Sequence, residues 1–245
     1  MGAVFRREVR SYFTSPIGYI FIAAFFAYAG LMFSMDSLAS GYTKLDSLFS
    51  SLLTIIIVLI PVLTMRTISE EKRTRTDQCL LTAPVSLGAI VTGKFFAAFL
   101  VYAVGVSITA VMAVVVSVYG DPDWNVIVGN IVALLLVGGA FIAIGIFCSS
   151  FTENQVVAAV ISFIALIGVS FLSSIGGILP SLDEGHWYTK VIEGLRTALE
   201  KTSFGERYLS FTYGIFNFSN VIFFISAVAA FLFLTVRVLE KRRWS

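Results

Sequence analysis

Six stretches of this chain, near residues 17–35, 48–65, 89–118, 126–148, 156–172 and 220–238, are apolar almost without interruption. Each approaches or exceeds the roughly 20 residues that a helix needs to cross about 30 Å of hydrocarbon. Lipid offers no partner to a free N–H or C=O, so a segment at that depth must satisfy its own backbone. The runs are too long and too evenly apolar for barrel strands. We therefore expect an all-α integral membrane protein, one domain over residues 1–245, with six transmembrane helices. Composition agrees: 58% of the residues are hydrophobic and 13% charged, against roughly 45–50% and about 25% in a soluble domain. The fifth run breaks into Gly176, Gly177 and Pro180. Such residues can end a span or bend a re-entrant pair, which leaves a five-span alternative open.

Orientation follows from Lys and Arg in the loops, where cytoplasmic segments carry the excess. Arg6, Arg7 and Arg10, then Arg66, Lys72, Arg73, Arg75 and Lys94, then Arg237, Lys241, Arg242 and Arg243 make twelve on one side; Lys44, Lys190, Arg196, Lys201 and Arg207 make five on the other. Both termini are thus expected in the cytoplasm, which requires an even number of spans. The start MGAVFRREVRSYF lacks the apolar core and cleavage site of a secretory signal, so the first run is expected to stay as an uncleaved anchor. Cys79 and Cys148 suggest ordinary thiols, with neither a disulfide framework nor a CxxC metal site.

Residues 1–16 read as an interfacial helix, with Val4, Phe5, Val9, Tyr12 and Phe13 as its oily face, Arg6, Arg7 and Arg10 on the wetter side, and Pro16 as its end. A plain positive-inside anchor is the alternative. Between the second and third runs, residues 66–88 mix dense charge with an apolar pair and a proline. Glu70 and Glu71 precede Lys72, Arg73 and Arg75, followed by Leu80 and Leu81 at helical spacing and by Pro84. A short amphipathic helix under the membrane fits this pattern and could dock into a groove on a soluble partner; a solvated loop fits it as well. In the long outer loop, 173–219, Val191, Leu195 and Leu199 recur at helical spacing, consistent with an interfacial helix that gates an exit or caps the span ends.

The string EEKRTRTDQCLLTAPVSLGAIVTGKF resembles the loop of ABC-2 type permeases, typically EE-R/K-x-x-G-T-x-E-x-L-L-x-x-P followed by G-K-F/L entering the next helix. Matches fall at Glu70, Glu71, Lys72, Thr76, Leu80, Leu81, Pro84, Gly93 and Lys94. Arg75 stands where a Gly is usual, and Gln78 replaces the usual Glu. The opening FRREVRSYFTSPIGYI and the ending FSNVIFFISAVAAFLFLTVRVLEKRRW are similar to the same family, particularly its gliding-motility-associated (GldF-like) branch. The resemblance implies a bacterial plasma-membrane exporter subunit with six spans, an interfacial helix carrying Phe5, Arg6, Arg7 and Arg10, and a coupling helix in the 66–88 loop. Glu70, Glu71, Lys72, Arg73, Thr76, Leu80, Leu81 and Pro84 would form the ATPase-coupling segment. Two ABC ATPase subunits and a second permease subunit, identical or paralogous, are the implied partners, with an accessory membrane protein bearing an external domain possible in the gliding-associated branch. ATP and Mg would bind on the ATPase, since this chain has no GxxxxGK[ST] phosphate loop. No cofactor, metal or nucleic-acid partner is expected here, only membrane lipid.

Two other classes compete. Glu70, Glu71 and Arg75 fit the EExxxR pattern of intramembrane CAAX-type proteases, but that chemistry needs histidines on neighbouring spans, and the single histidine, His186, falls in the outer loop. An ion-driven transporter or channel would bury ionisable residues within its spans. We read none between the charged ends of the runs, where Ser107, Thr109, Asn130 and Ser162 serve equally well as interhelical glue. The substitutions Glu71→Lys and Leu81→Asp are expected to uncouple transport while leaving folding intact. Gly138, Gly139, Ala140, Ala143 and Gly145 are expected to pack helices within the subunit.

Overall fold

A computed structural model describes residues 2–38, 45–76, 86–120, 122–172, 203–212 and 217–244. Among these residues every regular element is helical. The helices are α1 (Gly2–Thr14), α2 (Pro16–Phe33, running into a π-turn at Ser34–Leu38), α3 (Asp46–Thr64), α4 (Ser69–Arg73), α5 (Leu87–Tyr119), α6 (Trp124–Ser149), α7 (Gln155–Ser170), α8 (Phe204–Thr212) and α9 (Phe218–Trp244).

Local chemistry sets the boundaries. Ser15 is extended and Pro16 opens α2, a position where a missing N–H costs nothing because it has no partner in the helix anyway. The side chains of Ser86, Asp123 and Asn154 accept backbone N–H bonds at the starts of α5, α6 and α7, satisfying donors that a helix leaves over in its first turn. Asp123, at the start of a span, is thus a helix cap.

Five helical stretches are long and apolar enough to cross a membrane: Pro16–Asp36, Ser47–Arg73, Leu87–Val118, Trp124–Ser149 and Phe218–Arg242. They match five of the six expected spans. The sixth, α7, is apolar but has 16 residues, about 24 Å of helix at 1.5 Å per residue, short of the hydrocarbon thickness. The expected outer-loop helix at Val191, Leu195 and Leu199 lies outside the described residues.

Two spans differ from the expectation at their charged ends. The second runs eight residues past residue 65, to Arg73. Lys94, counted with the cytoplasmic charges, stands inside the third apolar stretch and is only 2% exposed. The 33 residues of α5 measure about 50 Å. That length exceeds the roughly 30 Å hydrocarbon core, and Lys94 sits two turns from one end.

Helix α6 is the centre of the bundle. It packs against α3, α5, α7, α8 and α9, and 72% of its apolar stretch is buried, against 11% for α9. Its glycines make the contacts possible. A Cβ on Gly138 would collide with the Tyr102 ring, and one on Gly145 with Thr64. The Tyr102 hydroxyl passes over Gly138 to donate to Leu134 O (2.7 Å), and its ring meets Phe21 of α2 edge-on, 6.4 Å between centroids. The small-residue stripe thus packs helices within the subunit, as expected. At the opposite end from Lys94, α8 closes the bundle. Tyr208 donates to Phe49 O of α3 (2.9 Å), and Phe204 packs between Phe141 and the pair Phe223 and Phe224.

This packing distinguishes two glycines of one helix. Gly138→Ala must displace Tyr102 and its hydrogen bond and is expected to lower stability by about 1–3 kcal/mol. At Gly129 a Cβ meets nothing within 4 Å, so Gly129→Ala is expected to be neutral or to stabilise by up to about 1 kcal/mol through helix propensity. Thermal unfolding of the two variants in mild detergent checks the contrast.

Candidate functional site

Beyond Thr64 the chain makes one turn, residues 65–68, and re-enters a helix at α4. Ile68 at the N-cap of α4 has no side chain able to cap it. The cap comes from another helix: Ser149 Oγ, at the end of α6, accepts from the Ile68 and Ser69 N–H groups (3.2 and 3.1 Å) and donates to Met65 O (3.2 Å). At the other end of α4, Lys72 Nζ, 7% exposed, donates to Ser150 O just past α6. A cation there meets the partial negative charge at the C-terminus of α6. Both ends of α4 are therefore fastened to one helix end.

A second fastening runs through Glu71. Lys94 Nζ has three donors and three acceptors: Thr67 O (2.8 Å), Glu71 Oε1 (2.8 Å) and Glu8 Oε1 (3.2 Å). Arg7 Nη2 closes the ring, donating to Glu8 (2.8 Å) and Glu71 (3.0 Å). Two carboxylates thus meet two cations, and α1, α4 and α5 are joined by one network. The Glu8 hydrogen bond, first among its causes, holds the Arg7 guanidinium above its ordinary value. Gly93 lets this happen: a Cβ there would press on Val4 Cγ1 at 3.2 Å and on Phe5 N at 3.4 Å, forcing α1 away from α5. Tyr12 completes the seam, its hydroxyl donating to Leu63 O (3.2 Å) and lying 3.4 Å from Thr67 Oγ1. Burial pushes that hydroxyl up to about 12, so it stays a neutral donor.

The residues singled out in the sequence part company here. Glu70 turns away from Glu71 and takes a two-pronged bond from Arg66 (2.6 and 2.7 Å). Glu71 and Lys72 point into the protein, while Arg73 and Thr76 are exposed. Phe5 packs against the core, Arg7 joins the network, and Arg6 and Arg10 face outward. Leu80, Leu81 and Pro84 lie outside the described residues. Glu71→Lys would place a third cation beside Arg7 and Lys94, so a cost in stability is expected with it. Glu8, Thr67, Ser149 and Ser150 were missed. Glu8 did carry a signal, as the one acidic residue among the arginines of the first segment.

Comparison with known families decides the class. A family model described as ABC-2 family transporter protein matches residues 39–193, well over half the chain. The chain belongs to the ABC-2 transporter family. No match was found among curated proteins. As an ABC-2 protein it is a multi-pass membrane permease subunit of an ABC transporter, in a family that is generally non-catalytic and normally works with ABC ATPase partners. The protease alternative loses its acids on this geometry: Arg66 occupies Glu70, and Arg7 and Lys94 occupy Glu71.

Arg75, where a Gly is usual in the resemblance, has a physical explanation. It follows the C-cap Thr74 with φ of 56°, the one positive φ of a non-glycine residue among the described residues. A left-handed residue just past a helix end is the position glycine favours. Arg75→Gly is therefore expected to raise stability by about 1 kcal/mol, the lower end of the left-handed penalty. Lys94→Met, which leaves Glu8 and Glu71 without their buried cation, is expected to cost about 3–5 kcal/mol. Thermal unfolding in mild detergent reads both, with opposite signs.

Proposed function

We propose that this ABC-2 protein is the permease subunit of an ATP-driven bacterial exporter of the gliding-motility-associated branch, and that residues 66–88 receive the stroke of partner ATPases. The observation that carries this is the double fastening of α4. A segment clamped to α6 by Ser149 and Lys72 and to α1 and α5 by Glu71 cannot shift without moving those helices. The exposed run Arg73–Thr76 that follows is the adjoining surface for a soluble partner. Arg73 and Arg75 have no carboxylate within ion-pair distance among the described residues, so an acidic rim on the ATPase suits them.

In this proposal nucleotide-driven closure of two ATPases pushes Glu70–Pro84, and the spans of two permease subunits switch between inward and outward openings. Leu80, Leu81 and Pro84 supply the apolar part of the docking element. Six crossings, the fifth near residues 156–172, and both termini in the cytoplasm of a bacterial plasma membrane agree with the Lys and Arg bias. ATP and Mg are bound by the partner, and an accessory protein with an external domain is a further candidate subunit.

Capture of the tagged chain from its native membrane in mild detergent, with mass spectrometry of every stoichiometric partner, tests this. A soluble subunit bearing a Walker phosphate loop is expected, and Arg73→Glu is expected to release it without changing the thermal midpoint of the permease. If the chain purifies alone or only with itself, the ATP-driven reading fails and an ion-driven transporter takes its place. Retention of the ATPase by Arg73→Glu places the docking surface elsewhere.

A further inference from the structure

The two helical faces that flank the network on α1 have different fates. Arg7 and Glu8 turn toward Lys94 and Glu71, whereas Arg6 and Arg10 are exposed. Among the described residues no carboxylate lies within ion-pair distance of either. They stand four residues apart and so share one face of the helix. Gly2, one turn before Arg6, continues that face into an apolar groove.

The groove holds about 570 Å³ and is lined by Gly2, Phe5, Phe96, Phe99, Leu100 and Ala103, so its walls come from α1 and from α5 beyond Lys94. That volume lies in the range of ligand sites, roughly 300–1,000 Å³. A second groove of about 280 Å³, between α5, α6 and α9, shares Phe96 and Phe99 with the first. The two therefore lie on either side of one pair of rings. Along α5 the first is lined from Phe96 onward and the second from Phe95, while Lys94 marks the level at which ionised groups gather. Charge thus sits at one end of a paired apolar cleft.

We propose that this cleft holds one acidic phospholipid, its acyl chains on the two sides of the Phe96 and Phe99 rings and its headgroup on Arg6 and Arg10. Guanidinium groups take phosphate oxygens in paired hydrogen bonds, and two basic side chains at a membrane surface favour a net-negative headgroup over a zwitterionic one. Bulk lipid filling the grooves would need no arginines; an anion site would need no grooves. The combination selects a lipid that carries net negative charge. The site is built from groups that neither the network nor the coupling segment uses, so it stands independently of the proposed function.

The test is lipid retention by the full-length chain, read by native mass spectrometry after exposure to equal amounts of phosphatidylglycerol and phosphatidylcholine with identical acyl chains. Preferential retention of phosphatidylglycerol is expected. Arg6→Gln with Arg10→Gln should reduce that preference roughly thirtyfold, about 1 kcal/mol for each charge removed, with no change in thermal midpoint, and Arg6→Lys with Arg10→Lys should largely keep it. Ala103→Phe, which fills the first groove, should lower retention of both lipids while leaving the arginines in place. Equal retention of the two lipids, or a preference that survives the double Gln variant, overturns the proposal. So does displacement of phosphatidylglycerol by millimolar inorganic phosphate, which would make the site one for a free anion.

Discussion

An ammonium group withdrawn from water must find a hydrogen-bond acceptor for each of its protons, and Lys94 is such a group, two turns into a helix otherwise fit for lipid. Its three acceptors come from three places in the chain: Thr67 on the turn before α4, Glu71 on α4 and Glu8 on α1. None of these is close to Lys94 in sequence. Desolvation of one charge therefore fixes the relative positions of α1, α4 and α5. The second cation, Arg7, balances the second carboxylate and is half exposed, which keeps the cluster neutral without burying a fourth charge completely. Remove the ammonium and two carboxylates face each other; remove Glu71 and the ammonium keeps only part of its shell. The network is complete only with the helices where they are.

The packing of α6 gives that cluster something rigid to stand on. In a membrane, helices associate by close contact and not by exclusion of water, so glycines that admit a large neighbour count for more than apolar character. Tyr102 over Gly138 and Thr64 against Gly145 bring α5 and α3 onto the same helix. The end of α6 then carries Ser149 and Ser150, which hold α4 at both of its termini. A five-residue helix would not persist alone, because nucleation outweighs the few bonds it makes. It persists here because its orphan donors and its terminal lysine are met by a helix that is itself immobilised.

Fold class was legible because lipid leaves a chain few options, and the five long spans fall within a few residues of the apolar runs, except where charge is involved. The second run continues to Arg73, and Lys94 lies inside the third, because hydropathy treats a charge as a boundary whereas a paired charge need not leave the protein. The 16-residue α7 shows the reverse: an apolar run whose helix is shorter than the bilayer. At the site, residue types were readable and directions were not. Glu70 and Glu71 are adjacent and chemically identical, yet one faces Arg66 on the turn before its helix and the other faces Lys94 on α5. They separate because successive residues of a helix point about 100° apart, which turns Glu70 to Arg66 and Glu71 to α5. Ser149 was invisible for another reason: it caps a helix eighty residues earlier, and no local pattern announces a cap supplied from a distance.

The same geometry divides the arginines of α1. Successive residues of a helix point about 100° apart, so in the sequence FRREVR the neighbours Arg6 and Arg7 cannot both reach Lys94 and Glu71. Arg7 and Glu8 fall on the side turned to α5; Arg6 and Arg10, four apart, fall together on the other. A run that looks in sequence like one basic patch is therefore two devices, one internal and neutralised, one external and still charged. The internal one ties the helix to the segment that follows the second span. The external one lies on the face that begins at Gly2, four residues before Arg6, and Gly2 lines the larger groove.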